Sequence, residues 1–414
     1  MFILPLFSKG IILEQHKEPA LSKNILQYPS EPSFFANPYP YSEFPSIEQL
    51  TDIARRANII DEHDGALLAD KLSFSSTKGH PVGIIADALD DDPYISSQLA
   101  LALHQSDLIS RGLHLCAVAL KIKSICIMVY KNIYDLSIQI PTMIKNINVV
   151  RIKGKYPAEN RIDNILGKSK RKLIIGTGAL LHLARAVDEN RIQTTCFVTV
   201  SGNCIAKPAN VEFPIGLPVS SALDFCTVAL DPTRVVVGGS MTGKSILDPS
   251  SELLTANSRA VLAFEDRRER RAFNCIGCSR CTEVCPQELA PFLIYKYTAL
   301  EKYDELYRFD VARCDECGSC SYVCPAELDL ADYVIKGKNY ILKKMSDSGV
   351  TSASEQQDLI HRKNLKKLKK RRMRFVVITD ISDSVKQIRN SLISVKRSIT
   401  ANNKTKKTQE ENRP

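Results

Sequence analysis

No stretch of this 414-residue chain reaches the ~18 uninterrupted apolar residues that a membrane-spanning helix needs. The apolar opening MFILPLFSKGIIL has no basic region before it and no small-residue cleavage site, so it reads as a packed strand or arm rather than a signal peptide. Histidine is scarce, seven in all and scattered, and each fits a surface or core position better than a ligand role. No nucleophile stands next to a base, which argues against hydrolytic chemistry. What remains is ordinary globular material. Hydrophobic residues make up 44% and charged residues 25% of the chain, enough for two or three domains with sizeable cores. The net charge of +10 is concentrated towards the C-terminal end, and that asymmetry says more than the total.

Cysteine is what the chain has in excess: thirteen residues. Eight fall into two copies of C-x2-C-x2-C-x3-C-P, CIGCSRCTEVCP at 275–286 and CDECGSCSYVCP at 314–325. This is the spacing of a two-cluster ferredoxin, in which three close thiolates hold one cluster and the fourth cysteine ligates the other. The spacing therefore assigns Cys275, Cys278, Cys281 and Cys324 to one [4Fe–4S] cluster. Cys314, Cys317, Cys320 and Cys285 go to the second. Paired zinc sites are the alternative, but those use two separated CxxC pairs rather than a doubled four-cysteine run. Pro286 and Pro325 are expected to end each loop and begin a helix. Gly277, Ser279, Gly318 and Ser319 are small enough to let amides approach cluster sulfurs. The other five cysteines (Cys116, Cys126, Cys196, Cys204, Cys226) lie in apolar segments without shared spacing and read as buried free thiols, which fits a reducing cytoplasm.

Along the chain, residues 14–45 are proline-rich and read as an extended arm. A helical pattern runs from Ser46 to Lys71, a short strand and acidic loop follow in PVGIIADALDDDPYIS, then a helix over 98–120 and a buried strand in SICIMVY. A second strand, glycine turn and helix occupy RKLIIGTGALLHLARAV. There Gly176 and Gly178 are candidate cofactor-binding residues, their amides placed to face a phosphate; a plain tight turn accounts for them equally. From Gln193 the pattern becomes β-like, with a short helix in LPVSSALDFC and a strand in RVVVGGSMTG. The cysteine module and the link between its motifs read as mostly helical. Beyond a polar linker at 349–358, a run of Lys and Arg at 362–374 leads into a basic amphipathic helix. Fold class is accordingly α/β, multi-domain.

Taken in order, these motifs resemble the C subunit of the Rnf electron-transport complex. Besides the doubled cysteine run, the resemblance is carried by VTVSG at 198–202, KPANVEFPIGLP at 207–218, GGSMTG at 238–243, KYP at 155–157 and DPYIS at 92–96. It covers about Ile47 to Met345 and implies an α/β layer like a flavin- and NADH-binding domain (46–192), a β-grasp-like module (193–255) and a ferredoxin-like module with two [4Fe–4S] clusters (256–348), flanked by the proline-rich arm (1–45) and the basic tail (349–414) that the composition marks out. The family's glycine-rich flavin loop is replaced by Asp61-Glu62-His63-Asp64-Gly65-Ala66-Leu67-Leu68, and its later lysine-and-glycine signature by AENRID. Side chains there block the approach to a phosphate and their charge repels it, so binding of FMN and oxidation of NADH by this chain are not expected. The resemblance implies an electron-transfer subunit of a membrane-associated oxidoreductase, peripheral on the cytoplasmic face, with other complex subunits as partners. A non-redox adaptor that keeps its clusters for stability is the alternative. Residues 362–402 are expected on an anionic membrane surface or membrane subunit, with a solvated tail as the alternative and nucleic acid an unfavoured partner.

Overall fold

The computed structural model describes residues 25–77, 81–130, 140–152, 154–158, 162, 172–265 and 272–347. The apolar opening, most of AENRID and the basic tail at 362–402 lie outside these residues. Met1–Lys338 form one compact unit and Asn339–Pro414 a second, the boundary falling within the last described helix.

Two sheets carry the larger unit. The first contains β2 (Gly83–Asp87), β3 (Ile125–Tyr130), β4 (Met143–Ile144), β5 (Ile147–Ile152) and β6 (Lys172–Gly176), in the order β4-β5-β3-β2-β6. Its four longer strands are parallel, and only the edge strand β4 runs against its neighbour. β2 is buried along its whole length, with Ile84 and Ala86 in the core shared with the helices and Ile85 packed on the other face with Leu89, Met128, Ile152, Ala158 and Ile162, which is why GIIAD reads as a continuous apolar run instead of an alternation. Helices α1 (Ile47–Arg56), α2 (Leu68–Thr77), α3 (Ser97–His104), α4 (Ser106–Ala119) and α5 (Thr177–Glu189) supply the layers. α4 and α5 touch through Gly112, where an added Cβ would collide with the carbonyl of Leu180.

The second sheet has the order β1-β8-β7-β11-β9-β10, from β1 (Leu26–Gln27), β7 (Thr195–Ser201), β8 (Ala209–Pro214), β9 (Arg234–Val237), β10 (Lys244–Ile246) and β11 (Ala260–Phe264). Val198, Val200, Val211, Phe213 and Val261 fill its core with α6 (Val219–Phe225). The sheet reaches outside the β-like stretch 193–255 at both edges of the sequence: β1 comes from the proline-rich arm and pairs parallel to β8. The arm is held there by Gln27, which donates to Glu212 at 2.8 Å. Glu212 also accepts from Arg185 at 2.6 Å and from Thr195 at 2.6 Å. Burial would raise the carboxyl's pKa, but Arg185, Thr195 and Gln27 outweigh it and hold it down at about 2.

The cysteine module follows, with short helices α7 (Arg280–Val284) and α9 (Ser319–Tyr322), the longer α8 (Pro291–Ala299), 3-10 turns at Tyr303–Phe309 and Val311–Arg313, and the closing helix α10 (Leu330–Asp347). Three expected helices are interrupted. The pattern over 46–71 divides into α1 and α2, because Asn58 takes a left-handed φ of 51° and Ile60 bridges back to Leu67. The one over 98–120 breaks at Gln105. The link between motifs leaves α-helix at Leu300, since Glu301 turns left-handed at φ 55°. Nor do Pro286 and Pro325 begin helices. Each sits second in a turn closed by Glu288 N–H on the Cys285 carbonyl (3.2 Å) or Glu327 N–H on that of Cys324 (3.1 Å), a position to which the fixed proline φ is suited.

Candidate metal centre

The two cysteine loops share one backbone path. Left-handed φ values fall at matching places: Gly277 (69°) and Glu316 (56°), Ser279 (60°) and Gly318 (70°), Glu288 (57°) and Glu327 (52°). Three of these six are glutamates and one is serine, so the shape comes from the loop's closure rather than from glycine content. Left-handed residues among right-handed ones turn successive N–H groups inward, forming a concavity for negative charge. Glu316 N–H accordingly points at Cys314 Sγ (3.3 Å) and Leu289 N–H at Cys285 Sγ (3.4 Å). The loops are tied by Phe273 N–H to the Ala326 carbonyl at 2.9 Å.

Cys275, Cys278 and Cys281 line one small cavity together with Cys324 from the other motif, walled by Ile276, Phe292, Leu328 and Leu330. The second group gathers around Cys285. Burial raises the Cys285 thiol pKa, and the nearby Cys317 adds to the shift. Burial pushes Cys314 to about 11, with Cys317 and Cys285 contributing. Cys320 rises to about 12 by burial, then through Cys314, Cys317 and Cys285. Thiols this reluctant to ionise become thiolates only when a cation displaces the proton. Among the described residues, no group of three or more His, Cys, Asp or Glu is placed to hold a metal ion. The apolar-walled four-cysteine cavity of the first group and the amides aimed at Cys314 and Cys285 in the second are the chemistry an iron–sulfur group takes. The two groups differ in exposure, since Cys275 and Cys278 face solvent while Cys285 and Cys317 are buried.

Elements from both sheets reach the second group. Lys155 donates through Nζ to the carbonyls of Glu283 and Cys285, the latter at 3.1 Å. Lys338 Nζ donates to the Cys314 carbonyl at 2.9 Å and pairs with Glu316 at 2.5 Å. The turn 238–243 lies against Gly318, where an added Cβ would stand 3.2 Å from the Met241 carbonyl. That turn is gripped by Asp92, whose Oδ1 accepts from Ser240 Oγ (2.8 Å) and Met241 N–H (3.3 Å). Its Oδ2 accepts from Thr242 Oγ1 (3.1 Å) and Tyr156 OH (2.8 Å). In the sequence Asp92 stands in an acidic loop at the head of DPYIS, and only the fold joins it to KYP and GGSMTG through these hydrogen bonds.

The glycine pair lies elsewhere, and its amides already have partners. Gly176 N–H donates to Asp61 Oδ1 at 2.9 Å, Gly178 N–H to Glu62 Oε1 at 2.6 Å and Ala179 N–H to Glu62 Oε2 at 3.0 Å. The replaced loop thus does more than repel an anion: its own carboxylates sit on the N-terminus of α5. A Cβ on Gly176 would meet Asp61 Oδ1 at 2.9 Å and press closer still on Glu62, so glycine is what admits the two carboxylates. Enclosure, then the neighbouring Asp61, raises the Glu62 pKa to about 7. Lys71 bridges Asp61 (2.5 Å) and Asp64 (3.0 Å), and His63 Nδ1 meets Asp87 at 2.6 Å.

Of the remaining cysteines, Cys116, Cys196, Cys204 and Cys226 are buried and Cys126 half-buried, all unpaired; burial pushes Cys116, Cys196 and Cys226 to about 12.

Residues 268–341 match the 4Fe-4S dicluster domain family and residues 197–244 the SLBB domain family. Over 231 residues the chain is 27% identical to the C subunit of the ion-translocating oxidoreductase complex of Rhodobacter capsulatus, covering 50% of this chain and 44% of that one. The Buchnera aphidicola protein of the same name, from the Acyrthosiphon pisum subspecies, is 26% identical over 72% of this chain and 67% of its own. The C subunit of the proton-translocating ferredoxin:NAD(+) oxidoreductase complex of Clostridium ljungdahlii is 24% identical over 63% and 60%. Among solved structures, an NAD+-reducing [NiFe]-hydrogenase aligns with a TM-score of 0.46 and 14% identity, covering 66% of this chain and 53% of that one. The chain spans about half the length of the first of these curated relatives. Across that span it is a relative of the C subunits of the Rnf-type, ion-translocating oxidoreductase complexes, and it carries a 4Fe-4S dicluster domain.

Proposed function

We propose that this chain is an electron-transfer subunit of an Rnf-type oxidoreductase complex and relays electrons through two [4Fe–4S] clusters. The ligand sets are Cys275, Cys278, Cys281 and Cys324 for one, and Cys314, Cys317, Cys320 and Cys285 for the other. When bound, each cluster supplies a one-electron carrier. The protein's part is to exclude water, direct amides at the sulfurs and fix the distance between the clusters. The observation that carries this reading is the cavity lined by three cysteines of one motif and the fourth of the other. Its test is iron and acid-labile sulfide content after anaerobic purification. Cys275→Ser and Cys324→Ser are expected to lose the same cluster by EPR, and Cys314→Ser and Cys285→Ser the other. Loss of different clusters within either pair refutes the ligand sets.

In the same reading the α/β layer is flavin-domain-like, residues 193–255 lie in a β-grasp-like module, and the chain binds no FMN and oxidises no NADH itself. The carboxylates on the Gly176 and Gly178 amides support this; stoichiometric FMN in the purified chain would overturn it. The chain sits peripherally on the cytoplasmic face, bound to other complex subunits and through 362–402 to anionic lipid. No helix among the described residues is long and apolar enough to cross a membrane. Equal sedimentation with liposomes by the full chain and a chain lacking 360–414 would end the lipid claim. The occupied amides also favour a second reading, a non-redox adaptor whose clusters serve stability. Clusters that dithionite reduces and a partner reoxidises distinguish the first from the second.

A further inference from the structure

The two cysteine groups are not equivalent in their surroundings. A lysine from outside the module reaches the second group, at the one ligand that its own motif does not supply. Lys155 lies just after β5, far in sequence from the cysteines, and its Nζ donates to the carbonyls of Glu283 and Cys285. Cys285 is 8% exposed and leads into the turn at Pro286, so the two hydrogen bonds pin the backbone that carries this ligand. Among the described residues no carboxylate is paired with Lys155, whereas Lys338, the other lysine on this group, is partly neutralised by Glu316. Arg313 and Asp315 also border this group and meet through Gln287, so their charges largely offset each other.

We infer that Lys155 is a positioning residue for the second cluster: it holds Cys285 in place as the crossed ligand and raises the potential of that cluster alone. The inference rests on the proposed cluster reading. Reduction adds one electron to a cluster whose ligands are already anionic, so a fixed positive charge nearby favours the reduced state. Removing it moves the midpoint to a more negative value, and the first cluster, in the solvent-facing group, stays where it was.

The test is an EPR-monitored redox titration of the anaerobically reconstituted full chain, in wild type, Lys155→Met and Lys155→Arg. A Cys278→Ser background isolates the second cluster. Lys155→Met is expected to lower the midpoint of that cluster by about tenfold in the reduction equilibrium, about 59 mV for a one-electron couple, while Lys155→Arg restores most of it. Selective loss of the second cluster from Lys155→Met, with iron retained in Lys155→Arg, equally supports the inference. Unchanged midpoints in Lys155→Met with both clusters present overturn it, as do equal shifts of both clusters. A wild-type chain that takes up no iron overturns the cluster reading itself and is seen before any variant is compared.

Discussion

Asp92 offers the sharpest test of how the second cysteine group is covered. Its carboxylate accepts four hydrogen bonds: three from the turn 238–243, through Ser240, Met241 and Thr242, and one from Tyr156. A hydrogen bond to a charged acceptor contributes about 1.5–3 kcal/mol, but the site is half-buried and water partly replaces what is lost. With about 1 kcal/mol retained per bond, Asp92→Ala costs about 3–4 kcal/mol. Asp92→Asn, which keeps the shape and drops the charge, costs about half of that. The cost falls locally, on the turn that rests against Gly318, so the informative assay is amide hydrogen exchange across 238–243 beside urea unfolding. Exchange there is expected to accelerate in Asp92→Ala well beyond the change in β7 and β8. A double-mutant cycle with Tyr156→Phe should give a coupling of about 1 kcal/mol. Unchanged exchange in the turn, or strict additivity with Tyr156→Phe, would refute the clasp.

Two further outcomes follow from the geometry. Glu62 has a folded-state pKa above its unfolded value, so the native state binds the proton more tightly. Its contribution is complete below the ordinary carboxylate range and is lost as pH rises towards and through about 7, by up to about 3 kcal/mol. Urea unfolding at several pH values between about 4 and 8 should show this slope in wild type and a flatter one in Glu62→Gln; parallel curves would contradict it. Gly112→Ala gains about 1 kcal/mol of helix propensity, yet it must push α4 from α5 against the Leu180 backbone. A net loss of about 2 kcal/mol is expected, and a stabilised variant would show that the helices separate freely.

The cysteine spacing made the module legible because ligand geometry is nearly independent of the surrounding fold. Parallel strands were legible too: GIIAD and ICIMVY are unbroken apolar runs of strand length, and such runs have few other uses. Helix interruptions at Asn58, Gln105 and Glu301 were not, since each depends on a backbone angle that the apolar pattern continues across. The use of Pro286 and Pro325 was misread for a related reason, because proline suits a turn and a helix start alike. Most instructive are Gly176 and Gly178. Their turn was visible, and so was the acidic character of residues 61–64, but the two are joined only through a distant contact between loop and helix. Lys155 and Asp92 stand at the head of KYP and DPYIS, which the sequence did single out, but the contacts that give each its use come only with the tertiary fold.

The carboxylates on the α5 amides set a rule of competition. A tethered group returns to its site at an effective concentration fixed by its short loop, of millimolar order or above. A soluble phosphate must first displace Glu62 and break its bonds to Gly178 and Ala179. Its apparent affinity is therefore divided by the fraction of time the loop stands open. Seated Glu62 binds its proton more tightly than an exposed carboxylate does, so the loop opens most readily as pH rises towards and through about 7, in the range where inorganic phosphate carries more charge with which to compete.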